Sequence, residues 1–100
     1  MPCSVRDMRS ALLGKLGCEE TEGRRHTKYR VYQEGRMIAF TVISRGDSEL
    51  TDPLVSRMAR ELCVQGRVLR EIYRCPYGWE EYLDNYNPDL NPYRRQRANR

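Results

Sequence analysis

The only histidine of the chain, His26, lies in the stretch Arg-Arg-His-Thr-Lys-Tyr at residues 24–29. Histidine suits general acid or base chemistry, because an ordinary imidazole titrates close to neutral pH. Arginine and lysine side chains beside such a group can bind a phosphate and stabilise the negative charge that develops on it. This pattern therefore suits cleavage of a phosphodiester, with His26 as the candidate catalytic residue. The alternative is a histidine that simply stands at the exposed start of a polar strand.

RNA can be cleaved without a metal ion, because its own 2′-hydroxyl supplies the nucleophile. A base removes the hydroxyl proton, the oxygen attacks the adjacent phosphorus, and an acid protonates the leaving 5′-oxygen. On a strand that begins at His26, Lys28 and Arg30 share its face and form a row along which a phosphate backbone could run. Arg24 and Arg25 directly precede His26 and are the other candidate RNA-binding residues here. A single histidine fills one proton-transfer role; water, another side chain or a second subunit must fill the other.

The charge distribution suits a polyanionic partner such as RNA. The chain has 18 basic and 14 acidic residues, and the excess is concentrated in two segments. Residues 24–36 hold five basic residues and one acidic residue, and residues 91–100 hold four arginines and no acidic residue. Clusters of this kind bind nucleic acid, so Arg94 and Arg95 are candidate RNA contacts in the tail. Solvated, charge-rich surfaces are the alternative explanation for both segments.

Hydrophobic periodicity predicts an α+β chain. The predicted elements are a helix at 5–16, strands at 18–22, 26–33 and 36–44, and helices at 53–63, 67–74 and 79–86. Ser4 is the expected N-cap of the first helix and Asp52 that of the second, while Glu34-Gly35 is the expected hairpin turn. In the third strand, Ile38, Phe40 and Val42 share one face, opposite Met37, Ala39, Thr41 and Ile43. The order predicts a three-stranded antiparallel sheet with helices on one face, as in the double-stranded-RNA-binding fold.

One hundred residues fit one domain. We expect it at 1–86, with a core at 5–64 and a helical extension at 65–86, followed by a basic, flexible tail at 87–100. No apolar run approaches the roughly 20 residues that span a bilayer. The first residues also lack the apolar segment of a signal peptide, so we expect a cytoplasmic protein without membrane contact.

The cysteine pattern predicts no metal ion and no cofactor. The four cysteines contain no C-x-x-C pair, and one histidine cannot complete the usual zinc patterns. Buried, reduced thiols are therefore expected at Cys3, Cys18, Cys63 and Cys75. Acidic residues also cluster at 47–52, but the helix cap explains Asp52 more simply than a metal site does.

Residues 5–64 resemble the HicA toxin family, small proteins with a double-stranded-RNA-binding-like fold. The family pattern is a helix, a short strand led by glycine, Gly-Ser-His-x-x-aromatic opening the second strand, a hairpin, a third strand and a Leu-rich helix. The corresponding stretches are LLGKLGCEETEGRRHTKY, EGRMIAFTVISRG and SELTDPLVSRMARELCV. The family's catalytic histidine falls on His26, and Tyr29 keeps the aromatic position. Arg24 and Arg25 stand where the family has glycine and serine.

This resemblance implies an mRNA interferase, a ribonuclease of a toxin–antitoxin pair that a separate antitoxin protein counters. Two other functions stay open from the residues alone. One is an RNA-binding module without catalysis, in which the arginines and Lys28 hold phosphates and His26 is incidental. The other is a protein-interaction adaptor, which requires an exposed apolar patch on residues 65–86. The sequence does not give the oligomeric state, and a dimer is compatible with it.

Overall fold

A computed structural model describes residues 3–74 and 77–91 of the chain. The elements are β1 (Cys3–Ser4), α1 (Val5–Gly14), β2 (Glu19–Glu22), β3 (His26–Gln33), β4 (Arg36–Ser44), β5 (Glu49–Leu50), α2 (Asp52–Glu61), α3 (Gly66–Arg74), α4 (Trp79–Asn85) and a 3-10 helix (Pro88–Leu90). The longer strands form an antiparallel sheet in the order β2-β3-β4. This confirms the α+β class and the three-stranded antiparallel sheet.

The short strands β1 and β5 form a second, two-stranded antiparallel sheet that the sequence did not predict. Cys3 pairs with Leu50 and both side chains are buried. The Val5 N–H also donates to the Ser48 carbonyl at 2.9 Å. This pairing ties the start of α1 to the segment before α2. Two-residue strands carry no detectable period, so pattern analysis cannot find them.

Side-chain caps begin the first two helices. The Ser4 hydroxyl accepts from the Asp7 N–H at 3.0 Å, which confirms the predicted cap of α1. The predicted cap of α2 was wrong by one residue, because Thr51, not Asp52, accepts from the Leu54 N–H at 3.4 Å. Pro53 has no N–H to donate, so the cap bond passes to the next amide, which lies three residues after Thr51.

A one-residue bulge divides the hairpin of β3 and β4. Gln33 pairs with Arg36 beside the turn, whereas His26 pairs with Ser44 at the far end. The register shifts between Val31 and Tyr32, so that β4 has nine residues against eight in β3. Because side chains alternate along a strand, a one-residue shift exchanges the two faces of β4 relative to β3.

The bulge decides which side of β4 enters the core. Ala39, Thr41 and Ile43 face the helices and are buried with Tyr29 and Val31 of β3. No helix of residues 3–74 and 77–91 covers the opposite side of the sheet. We call it the outer face, and its central residues, all from β3 and β4, are Lys28, Arg30, Phe40 and Val42.

The C-terminal helices complete the core of the same domain. The fully buried side chains of α3 and α4, which pack with α1 and α2, are Val68, Leu69, Ile72 and Tyr82. The Tyr82 hydroxyl donates to the Leu62 carbonyl at 2.8 Å. The Lys15 ammonium, just after α1, donates to the Ile72 carbonyl at 2.6 Å and so binds the negative end of α3. Residues 66–85 are therefore part of the core and not an appendage to it.

The outer edge of β4 is covered by side chains of the helical layer. The Arg57 guanidinium donates to the Val42 carbonyl at 3.2 Å, and the Tyr86 hydroxyl donates to the Ile38 carbonyl at 2.8 Å. Thr41, which is fully buried, donates to the Glu61 carboxylate at 2.7 Å. These contacts join the last strand of the sheet to α2 and to the end of α4.

Residues 87–91, which the sequence assigns to the start of a flexible tail, are held by hydrogen bonds. The Asn87 N–H donates to the Cys63 carbonyl at 2.7 Å, and the 3-10 helix Pro88–Leu90 follows directly. Residues 92–100, with the candidates Arg94 and Arg95, lie outside the described residues. In the described part no helix is long and apolar enough to cross a membrane. Cys3, Cys18 and Cys63 are buried thiols, and Cys75 lies outside the described part.

Candidate nucleic-acid interface

A tight turn between β2 and β3 presents Arg24 and Arg25 at one end of the sheet. The Gly23 N–H donates to the His26 carbonyl at 2.8 Å and closes the two-residue loop. A Cβ atom on Gly23 would lie 2.9 Å from that same carbonyl oxygen, so the closure requires glycine. Both arginines are exposed, as is His26 directly after them. Because the loop is so short, these three residues lie at the same end of the sheet.

Arg45 is a fourth member of this group that sequence reasoning missed. Its backbone N–H donates to the Arg25 carbonyl at 2.9 Å, and its guanidinium donates to the Gly23 carbonyl at 3.1 Å. The bulge causes this contact. In an unshifted hairpin Ile43 would lie opposite His26, but the shifted register places Ser44 there and brings the next residue beside Arg25. Counting back from the turn at Glu34-Gly35 could not reveal the shift.

We call Arg24, Arg25, His26 and Arg45 the basic tip. All four side chains are exposed, and none of the ion pairs among the described residues involves them. Exposed guanidinium groups that have no acidic partner in the described part are suited to binding a phosphate, and the Arg45 group also donates to the Gly23 carbonyl. The imidazole of His26 has no hydrogen-bond partner within residues 3–74 and 77–91, so it is accessible to a ligand.

Lys28 and Arg30 follow the basic tip along β3, and their side chains make different contacts. The Lys28 ammonium lies 4.6 Å from the centre of the Phe40 ring. Arg30 turns toward β2, where it donates to the Thr21 hydroxyl at 2.8 Å and lies 3.5 Å from the Glu19 carboxylate. Glu19 is thus an acidic partner of Arg30, which the arginines of the basic tip lack in the described part. Lys28 therefore extends the positive surface from the basic tip. Arg30 adds less positive charge to that surface than its position in the row with His26 and Lys28 predicts.

Behind the basic tip, on the helix side of the sheet, lies a cavity of about 190 Å³. Arg9 of α1 and Glu20 of β2 form an ion pair across it, with a nitrogen–oxygen distance of 2.6 Å. The Arg9 guanidinium holds the pKa of Glu20 below its usual value. Burial, and then the adjacent Glu20 carboxylate, raise the pKa of Tyr29 to about 12. The pair fixes the edge strand β2 to α1 and so supports the turn that carries Arg24 and Arg25.

We expect Tyr29 to lower the free energy of unfolding in strong base. The unfolded chain releases the tyrosine proton near pH 10, whereas the folded chain holds it to about pH 12. Proton loss therefore favours unfolding in this window, and stability falls as pH rises through it. Urea unfolding of wild type and Tyr29→Phe should show the wild-type advantage shrinking by about 1–2 kcal/mol between these limits. A difference that stays constant with pH would contradict this assignment.

The large apolar side chains exposed in the described part lie on β3 and β4, and not on α3 or α4. They are Tyr32, Met37 and Phe40, which are 38%, 47% and 40% exposed. The adaptor alternative depends on an apolar patch within residues 65–86, where the apolar side chains on the surface are half-buried against the core: Tyr73, Tyr77, Trp79, Leu83 and Tyr86. Among the described residues, the most exposed large apolar side chains therefore lie on the sheet and not on α3 or α4.

A metal ion has no evident ligand set in residues 3–74 and 77–91, which contain no cluster of three or more histidine, cysteine, aspartate or glutamate side chains that could hold one. The groups placed for chemistry are instead one imidazole and the cations around it. No protein-family model, curated protein or solved structure matches the chain. The function must therefore be inferred from the residues of the chain itself.

Proposed function

We propose that this chain is a HicA-like ribonuclease with a double-stranded-RNA-binding-like core, which cleaves RNA without a metal ion. The observation that carries the proposal is the pairing of His26 with Ser44, which places Arg45 against Arg25 beside the only histidine. A potential proton-transfer group thus lies beside three arginines for which the described residues provide no acidic partner. Phosphodiester cleavage needs both of these components in one place.

In the proposed reaction, the scissile phosphate binds the guanidinium groups of the basic tip. The His26 imidazole accepts the proton of the 2′-hydroxyl, the 2′-oxygen bonds to phosphorus, and the bond from phosphorus to the 5′-oxygen breaks. The leaving oxygen takes a proton from water, and the products are a 2′,3′-cyclic phosphate and a 5′-hydroxyl. The guanidinium groups of Arg24, Arg25 and Arg45 stabilise the negative charge that develops on the phosphate oxygens.

The strongest alternative is an RNA-binding module that does not cleave. The absence of a hydrogen-bond partner for the His26 imidazole in the described part favours it, since a general base is usually oriented by a second group. In that case the basic tip and Lys28 hold phosphates and the affinity for RNA falls steeply with salt. By the same resemblance, we propose a separate antitoxin protein as the partner of either form.

The test uses the full chain with an end-labelled, structured RNA in the presence of EDTA. Cleavage that leaves a 2′,3′-cyclic phosphate would support the proposed ribonuclease. Salt-sensitive binding without cleavage would support the non-catalytic module. Neither binding nor cleavage would contradict both functions and direct attention to a protein partner.

A further inference from the structure

Phe40, the only phenylalanine of the chain, lies on the outer face of the sheet with 40% of its surface exposed. The neighbouring Thr41 is fully buried in its place. Burial of an aromatic ring and exposure of a hydroxyl would be the favourable arrangement, because apolar surface leaves water readily and a buried hydroxyl needs a partner. Here Thr41 is satisfied by the Glu61 carboxylate at 2.7 Å.

The bulge at Ile38 is the direct cause of this arrangement. With an unshifted register, Phe40 would lie opposite Tyr29 and enter the core, since Tyr29 is buried and faces the helices. The extra residue instead pairs Phe40 with Arg30 on the outer face. Bulges commonly redirect a side chain beside a functional site. An aromatic ring that is turned out of the core at some loss of burial is a candidate for a contact with a ligand.

The surroundings of the ring identify the chemistry of that ligand. The Lys28 ammonium lies over the ring, 4.6 Å from its centre, and 40% of the Phe40 surface is exposed with the ammonium in place. Phe40 is opposite Arg30, and His26 is four residues along β3, which is about 13 Å at the rise of an extended strand. An aromatic ring with a cation beside it, in line with a phosphate site, matches a nucleotide base and its phosphate.

We infer that Phe40 and Lys28 form a stacking site for an unpaired base of single-stranded RNA whose backbone continues to the basic tip. This inference rests on the proposed function and names its substrate class. The base replaces the Lys28 ammonium over the Phe40 ring, and the ammonium moves to the adjoining phosphate. A base within a duplex is covered on both faces by its neighbours, so it cannot stack on the ring. The RNA must therefore be unpaired on the segment that crosses the outer face.

The test compares the binding of a short single-stranded RNA with that of the duplex formed from it, both carrying 2′-O-methyl groups that remove the nucleophile. Phe40→Ala should weaken single-strand binding by about 5- to 150-fold, the usual effect of one lost stacking contact. Phe40→Trp should retain it, and Phe40→Leu should lose most of it, because leucine is apolar but cannot stack. The affinity for the duplex should not change in any of the three variants.

Met37→Ala is the matched control, because Met37 is an exposed apolar residue of the same strand beyond the bulge. It should change RNA affinity by less than about twofold. If wild type binds RNA and Phe40→Ala binds the single strand equally well, the stacking site is wrong and the proposed function stands. If wild type binds no RNA, both are wrong. If wild type self-associates in sedimentation and Phe40→Ala only abolishes that, the outer face binds a second copy and the inference is overturned.

Discussion

Replacing His26 with alanine is expected to slow RNA cleavage by about 10²–10⁴-fold, the usual contribution of one proton-transfer group. The affinity for RNA should change little, because the guanidinium groups of Arg24, Arg25 and Arg45 remain in place. The measurement is single-turnover cleavage of a labelled RNA in EDTA, together with an equilibrium binding assay. A loss confined to the rate, with binding retained, identifies a group that acts mainly in the transition state.

Arg36→Ala is a suitable control for this experiment. Arg36 is an exposed cation at the far end of β4, beside the hairpin turn and away from the basic tip. It should leave the cleavage rate within about twofold of wild type, since a distant exposed charge has little effect through water. Equal rates for His26→Ala and wild type would exclude His26 as the catalytic residue and favour a binding module.

Replacing Tyr82 with alanine is expected to reduce the free energy of unfolding by about 3–5 kcal/mol, the range for truncation of a buried aromatic residue. Tyr82 of α4 is fully buried, stacks against Trp79 at 5.6 Å between ring centres, and donates to the Leu62 carbonyl. Tyr82→Phe removes only the hydroxyl and leaves the carbonyl without this donor. It should cost about 1–3 kcal/mol. Urea unfolding of both variants separates the packing of the ring from its hydrogen bond.

Tyr32→Ala is the corresponding control, because Tyr32 is 38% exposed and lies on the sheet. It should destabilise the chain much less than Tyr82→Ala does. A small effect of Tyr82→Ala, similar to that of the control, would mean that α4 is peripheral to the core. The expected large effect would make α4 an essential part of the domain.

Strong local patterns carried the prediction of the main elements. The strands His26–Gln33 and Arg36–Ser44 were predicted to the residue, because their alternation and the turn at Glu34-Gly35 are local features. Glu34 and Gly35 both adopt positive φ, as a two-residue hairpin turn of this kind requires. The first helix ends two residues before its predicted end, at Gly14, which is within the usual fraying of helix termini.

The bulge in β4 is not predictable from the sequence. It explains why the sequence analysis did not find the outward position of Phe40 or the place of Arg45 in the basic tip. Residues 37–43, with six apolar residues and Thr41, are largely apolar on both faces, so alternation alone cannot decide which face enters the core. That choice depends on long-range contacts, including the bond from Thr41 to Glu61. Because the bulge also sets the register at His26, the position of Arg45 in the basic tip was unpredictable for the same reason. The local grouping of Arg24, Arg25 and His26 needed no such information.

The side-chain contacts at the edge of β4 have a consequence for assembly. An unprotected edge strand invites an extended segment of another chain to add to the sheet through backbone hydrogen bonds. Here Arg57 and Tyr86 already occupy the carbonyl groups of Val42 and Ile38. An incoming strand would have to displace both donors. One of them is the hydroxyl of Tyr86, whose ring packs against the core. Addition of a strand at β4, from a protein partner or from a second copy of the chain, is therefore disfavoured.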